Sequence, residues 1–303
     1  MALNVDALTG YVQERTDELI RKAVIEARTA KEFNLQTGIK GATNLNLLDT
    51  SVVFQDGSEC GWSESGTSTV SKRILTPGVI KINMSFCDKQ LLKTWMNYDV
   101  RVAAGQKNLP FEEDFIGNVI ENVKAELEKE LWQNSSAATF EGFISIAEAA
   151  SLAATVEYSS ASTIASRVNG VYASIPSAVF SKGDVKLYMG SDDYRIYVQE
   201  LIANGNLVLN AGNGAVLDGI AMPAQMLIPG TNVLIVPVAG LDGTHKMFAS
   251  YADNFIYGTD LQGDEEKFEF WYSQDNREFR LAIEFLAGVQ VAYPDALVEG
   301  KLS

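Results

Sequence analysis

Two hydrophobic periods alternate along this chain. In "YVQERTDELIRKAVIEARTAKEF", Val12, Leu19, Ile20, Ala23, Val24 and Ala27 recur at helical spacing with charges on the other face. That spacing predicts an amphipathic helix near the start, and the glycines of "QTGIKGATN" end it. From Thr50 the period falls to two. "SVVFQ" reads as a short strand, and in "VIKINMSF" Val79, Lys81, Asn83 and Ser85 alternate with Ile80, Ile82, Met84 and Phe86. These segments predict a long hairpin from Val52 to Met84, each arm reaching at most ~50 Å at about 3.3 Å per residue. Its end, "ECGWSESGTST", has Trp62 as its one large apolar residue, so it is a poor core-former.

Helical spacing returns in "CDKQLLKTWMNYDV" and then in "FEEDFIGNVIENVKAELEKELWQ". In the second, Phe111, Phe115, Ile116, Val119, Ile120, Val123, Leu127 and Leu131 form one stripe. Pro110 and three acids in the first turn suit a helix start. Over Phe111 to Gln133 this helix is roughly 34 Å long at 1.5 Å per residue. From Asn134 to about Lys246 helix and strand signals alternate. "SSASTIASRVNGVYASI" predicts a serine-capped helix and "DVKLYMG" a strand. "SDDYRIYVQELIANG" predicts a helix with Ser191 as N-cap and Gly205 past its end, and "AMPAQMLI" and "NVLIVPV" predict strands. At the end, Phe268, Phe270 and Tyr272 share one face of a strand. After "SQDN", Phe279, Leu281, Ile283 and Phe285 share one face of the next. The sum is an α+β chain with an inserted α/β subdomain.

Composition narrows the function. The 303 residues carry 39 acidic and 24 basic side chains, a net charge of −15. Such a surface repels phosphate, which disfavours sequence-independent nucleic-acid binding. Cys60 and Cys87 form no CxxC pair and read as reduced thiols. "MALNVDALTG" lacks the basic start and apolar run of a secretory segment, and no stretch has the ~20 apolar residues of a bilayer span. The expectation is a soluble protein made in the cytoplasm.

No catalytic set emerges. His245, in "LDGTHKMF", is the only histidine and has no acidic partner in a triad signature nearby, so it reads as a surface residue. "NAGNGAVLDG" spaces its glycines as GxGxxxxG, which is neither a dinucleotide fingerprint nor a P-loop. Asp260, Asp264, Glu265 and Glu266 crowd together without the register of a calcium loop, and "SDDY" reads as helix capping. The expectation is no enzyme, no cofactor and no metal.

The order of elements is a helical arm, a projecting hairpin, a long helix, an inserted α/β unit and a closing β-hairpin. It resembles a tailed-phage major capsid protein of the Hong Kong 97-like fold. "NFIYGTDLQGDEEKFEFWYSQDNREFRLAIEFLAGVQVAYPD" is similar to that family's C-terminal peripheral segment, and "FEEDFIGNVIENVKAELEKELW" takes the place of its spine helix. The resemblance implies an N-terminal arm over 1–48, an extended loop over 49–86, a peripheral domain of 87–136 with 247–303, and an axial domain over 137–246. It implies self-assembly into hexamers and pentamers of an icosahedral head that encloses double-stranded DNA, within a virion made in the bacterial cytoplasm. Some relatives carry a cleaved scaffolding segment ahead of the arm. The arm here begins within the first dozen residues, so a separate scaffolding protein is expected, with portal and decoration proteins as further partners. Lys72 and Lys81 lie on the extended loop, but the Asn and Glu of the family's cross-linking chemistry have no match.

The resemblance also offers a use for the core-poor tip. Gly57, Glu59, Gly61, Trp62 and Gly66 are expected to contact a neighbouring copy, with Trp62 as anchor and the glycines allowing the tip to bend. Phe115, Val119, Val123 and Leu127 are expected in the core along the long helix. Two alternatives stand beside the capsid: an encapsulin-type nanocompartment shell, and a soluble hydrolase or glycan-binding protein.

Overall fold

The structure is a computed structural model that describes residues 19, 24, 28–56, 65–87, 111–136, 139–204, 216–217, 220–221, 226–260, 267–276 and 278–303. Its helices are α1 (Arg28–Glu32), α2 (Phe111–Gln133), α3 (Phe143–Ala149), α4 (Ile164–Ala173), α5 (Ser177–Ser181) and α6 (Ser191–Ala203). The first strands are β1 (Asn34–Thr37), β2 (Thr43–Ser51), β3 (Thr67–Leu75), β4 (Gly78–Cys87), β5 (Ala154–Tyr158) and β6 (Val185–Gly190). Three short ones follow, β7 (Val216–Leu217), β8 (Ile220–Ala221) and β9 (Met226–Leu227). The last are β10 (Leu234–Val238), β11 (Met247–Tyr251), β12 (Phe255–Thr259), β13 (Lys267–Ser273), β14 (Glu278–Val291) and β15 (Val298–Leu302). The helix expected over 88–100 lies outside the described residues.

Strand β14 organises one sheet. Its odd-numbered residues Phe279, Leu281, Ile283 and Phe285 are buried, as period-2 alternation requires. Strand β13 pairs with it antiparallel, setting Phe270 opposite Leu281 and Phe268 opposite Ile283. On the other side β4 runs antiparallel, with Ile82 opposite Ile283 and Met84 opposite Leu281. The hairpin expected from Val52 to Met84 is therefore divided. Strand β3 pairs with β2, whereas β4, two residues further on, joins the sheet. The outgoing strand also starts earlier than expected, at Thr43, and Val52–Gln55 lie beyond its end. "QTGIKGATN" is not all loop either. Asn34–Thr37 pairs in parallel with β12, which extends the sheet by one strand.

The second sheet has the order β5-β15-β11-β6-β10-β9 and separates two cores. Strands β6 and β10 are parallel, with α6 in the connection between them. Alternation along these strands sends Tyr188, Val236, Val238 and Phe248 into one core, shared with α2 and β14. It sends Leu187, Met189, Ile235, Met247 and Ala249 into the other, under α4 and α6. Helix α4 is capped by Thr163, whose hydroxyl accepts from Ser166 N, and not by the serines before it. Ser191 is the first residue of α6 and its cap is Gly190, a correction to the expected serine cap.

Helix α2 supplies the spine of the first core through Ile116, Val119, Ile120, Val123, Leu127, Leu131 and Trp132. Trp132 stands among Phe33, Phe143, Tyr188, Phe248 and Phe255, with ring centroids 5.1 to 6.1 Å away. Its indole N–H donates to Thr29 Oγ1 at 2.9 Å, and Thr29 N donates to the buried Glu128 carboxylate at 2.9 Å. The Thr29 hydroxyl also donates to Glu128. A carboxylate one turn before Trp132 thus anchors the short helix α1 to the long one. Among the described residues, no helix is long and apolar enough to cross a membrane.

Buried phenols make the fold sensitive to base. Burial raises Tyr197 and Tyr251 to about 12 and lifts Tyr188 well above the ordinary phenol value. Above pH ~10 the unfolded chain releases these protons while the folded chain keeps them. The unfolded state then binds fewer protons, so stability falls as pH rises. Denaturant midpoints are expected to hold up to pH ~10 and drop steadily from there to pH ~12; a flat midpoint across that window would remove these phenols from the core.

Candidate interaction site: the two-stranded ribbon

Strands β2 and β3 form a two-stranded sheet in strict antiparallel register from Thr43 opposite Leu75 to Ser51 opposite Thr67. Directly opposed residues share a face, so the register sorts the side chains into two sets. Thr43, Leu45 and Leu47 face the same way as Leu75, Arg73 and Ser71. At this face Leu45 and Leu75 are buried with Ile39, Ile256 and Ala292, which seats the base of the ribbon on the protein. Two further bonds hold that base: Gln290 Nε2 donates to Ile74 O at 2.7 Å, and Arg73 Nε donates to Val291 O at 3.3 Å. Packing there is close, since a Cβ on Gly258 would stand 2.5 Å from Leu75 Cδ2.

The other face is exposed among the described residues. Leu48 and Val70 oppose one another and are 62% and 65% exposed, with Ile74 further down the same face. Past the strand end Val52, Val53 and Phe54 are exposed too, Phe54 at 98%. An isolated two-stranded ribbon is marginal in water, and a run of exposed apolar side chains marks a contact surface. The sequence showed Val52, Val53 and Phe54 as an apolar strand. The structure shows them instead as exposed residues at the ribbon's outer end.

Of the residues expected at the tip, Gly57, Glu59, Gly61 and Trp62 lie outside the described residues. Gly66 is described, and its φ of +94° is a conformation that side chains rarely adopt. A Cβ there would sit 2.2 Å from Ser51 O. Nearby, Ser65 Oγ donates to Val53 O at 2.9 Å and the hydroxyls of Ser51 and Thr67 bond at 3.2 Å. Gly66→Val is expected to open this end of the ribbon at a local cost of about 1–3 kcal/mol. Amide exchange over 67–70 should then quicken about tenfold or more while the thermal midpoint holds; unchanged exchange would show that the turn tolerates a side chain.

Along α2, Val119, Val123 and Leu127 are buried, whereas the side chain of Phe115 lies outside the described residues. Lys81 pairs with Glu284 across β4 and β14 at 3.0 Å, so its amine is held by its own sheet.

His245 has an acidic partner after all. Its Nδ1 lies 2.9 Å from Oδ1 of Asp193, a carboxylate 1% exposed and 52 residues earlier in the chain. His245 itself adopts φ +54°. Around it, Asp192 accepts from Asp193 N at 2.8 Å and from Gly243 N at 2.9 Å, and Asp242 accepts from Ser191 N at 2.5 Å. Gln133 at the end of α2 donates to Gly240 O and Asp242 O. Asp192, Asp193 and His245 bring one ligand atom each within 4.8 Å of one another. Asp193 takes the imidazole Nδ1, and no hydroxyl or thiol is bonded to the ring among the described residues. The cluster therefore works as a staple between α6 and the 239–246 loop. "SDDY" does not supply the helix cap expected of it, since Gly190 is the cap and has no side chain to bond; it opens the helix and holds the loop that carries the histidine.

No family model and no curated protein matches the sequence. The fold does have solved counterparts. The satellite phage P4 procapsid, including its size determination protein, superposes with a TM-score of 0.62 at 9% identity, over 95% of this chain and 91% of that one. A structure from Gordonia phage Cozz gives 0.57 at 12% identity, over 91% and 86%. The holo-SrpI encapsulin complex from Synechococcus elongatus gives 0.53 at 11% identity, over 89% and 84%. Each likeness covers most of this chain, and with it the chain has the mixed α+β fold of Hong Kong 97-like capsid structures.

Proposed function

We propose that this chain is a major capsid protein, the structural subunit that assembles into hexamers and pentamers of an icosahedral phage head around double-stranded DNA. The observation that carries this reading is the ribbon: its base is seated on the protein and its outer face bears Leu48 and Val70, both largely exposed among the described residues. A neighbouring copy covers them. In this reading 1–48 is the arm and 49–86 the extended loop, reached through paired strands that begin at Thr43. Residues 87–136 with 247–303 form the peripheral domain, with Phe111–Gln133 as its spine, and 137–246 forms the axial domain. Strands β11 and β15 enter the axial sheet, so the two domains share one seam. Trp62 and the tip glycines act on the neighbour, and scaffolding, portal and decoration proteins complete the head. The −15 charge keeps the inner wall from holding the genome.

The likeness to an encapsulin complex favours one second reading, a nanocompartment shell. Electron microscopy of the purified protein tests the common part. Closed shells of uniform diameter are expected, and a monomer or small oligomer by sedimentation would overturn it in favour of a soluble hydrolase or glycan-binding protein. The contents of particles from the native source then separate the two shells: duplex DNA for a phage head, protein cargo for a compartment.

A further inference from the structure

Between the inner face of the ribbon and the second core lies a cleft of about 670 Å³, large enough to admit several side chains. Leu47, Leu48 and Arg73 line one wall, and Lys182, Tyr251 and Tyr293 the other. Arg73 spends its Nε on Val291 O, but its Nη2 is buried without an acceptor. The Tyr251 hydroxyl is buried without a partner as well. Lys182 caps α5 and rests its ammonium over the rings of Tyr251 and Tyr293, at 4.7 and 5.5 Å. Asp295 also lines the cleft, yet among the described residues no carboxylate bonds to Lys182 or Arg73. Elsewhere among the described residues Lys186 holds Glu32, and Lys246 holds both Glu148 and Glu299.

A guanidinium with one nitrogen left unpaired, an ammonium and a phenol O–H lining one cleft suit a carboxylate. We propose that the cleft receives an acidic side chain from a second copy of this chain, gripped between Arg73 and Lys182. Charge complementarity names the occupant, because each copy carries 39 carboxylates against 24 cations and must place some of them when copies meet. Position agrees: Leu48 lies both on the cleft rim and in the exposed apolar stripe of the ribbon, so a copy covering the stripe reaches the cleft. This inference rests on the shell reading and adds to it a site on the subunit that must be charged for assembly to hold.

The test compares wild-type protein with Lys182→Glu and Lys182→Met by sedimentation and electron microscopy over a salt series. Lys182→Glu is expected to lose particles while its subunits keep the wild-type thermal midpoint. Lys182→Met, which keeps the stem over the tyrosine rings, is expected to form particles that fall apart at lower salt. Particles of wild-type salt tolerance from both variants would overturn the cleft alone. A lowered subunit midpoint with normal particles would overturn it too, by assigning Lys182 to internal packing. If Lys182→Glu does not fold, Lys182→Met decides on the same salt criterion. Wild-type protein that never assembles would overturn the shell reading itself, and the cleft with it.

Discussion

Val123→Asp is expected to yield insoluble or unfolded protein. Val123 is buried on α2 between Val119 and Leu127, in one core with Phe268, Phe270, Leu281 and Ile283. A carboxylate there has no hydrogen-bonding partner on its own stripe, where the neighbouring positions are apolar. Burying it unpaired costs several kcal/mol, a large part of the whole stability of a domain. The one carboxylate buried among the described residues of this helix, Glu128, shows what toleration requires: Thr29 supplies both its N–H and its hydroxyl. The position of Val123 lacks that provision. Expression in the soluble fraction and the far-ultraviolet circular dichroism of any soluble material check the outcome. A soluble variant with wild-type thermal stability would remove this face from the core.

The second large effect falls on assembly and leaves the fold alone. Leu48 and Val70 oppose one another on the exposed face of the ribbon. Leu48→Glu with Val70→Lys replaces an apolar pair by opposite charges directly across the strands, a combination that supports pairing within the ribbon. The subunit should keep its thermal midpoint to within about 0.5 kcal/mol, as exposed sites commonly do. The surface offered to a neighbour is changed, because two exposed apolar side chains become charged and must be desolvated for a copy to cover them. Sedimentation is expected to show free subunits or small oligomers in place of shells. Normal particles from the double variant would place the intersubunit contact somewhere else on the molecule.

Periodicity made part of this architecture legible without coordinates. The long helix runs from Phe111 to Gln133, as its spacing and Pro110 indicate, because helix register is set by residues three and four apart. The inward faces of β14 follow from alternation in the same way, and the aromatic pairs Phe270–Phe279 and Tyr272–Phe279 lie within the predicted hairpin. The start of the ribbon was not legible. "TNLNLLDTS" mixes asparagines with leucines, and the two glycines before it read as a break, while the strand is held by its partner 67–75 more than by its own composition. The meeting of two cations at the cleft gave no signal either, since Arg73 and Lys182 are ordinary surface residues in one dimension.

What the sequence determined by itself is therefore local: where the chain repeats every 3.6 residues or every two, which face of each element is apolar, and how acidic the whole is. The tertiary structure decided every pairing across distance. It set β4 on β14 and left the ribbon two strands wide, and it divided the second sheet between two cores. It also brought Asp193 to His245 and made Gly66 necessary through its closeness to Ser51. The physical reason is that backbone periods arise from neighbours in the chain, whereas partner choice is settled by shape and burial among segments far apart, which a single stretch of sequence does not record.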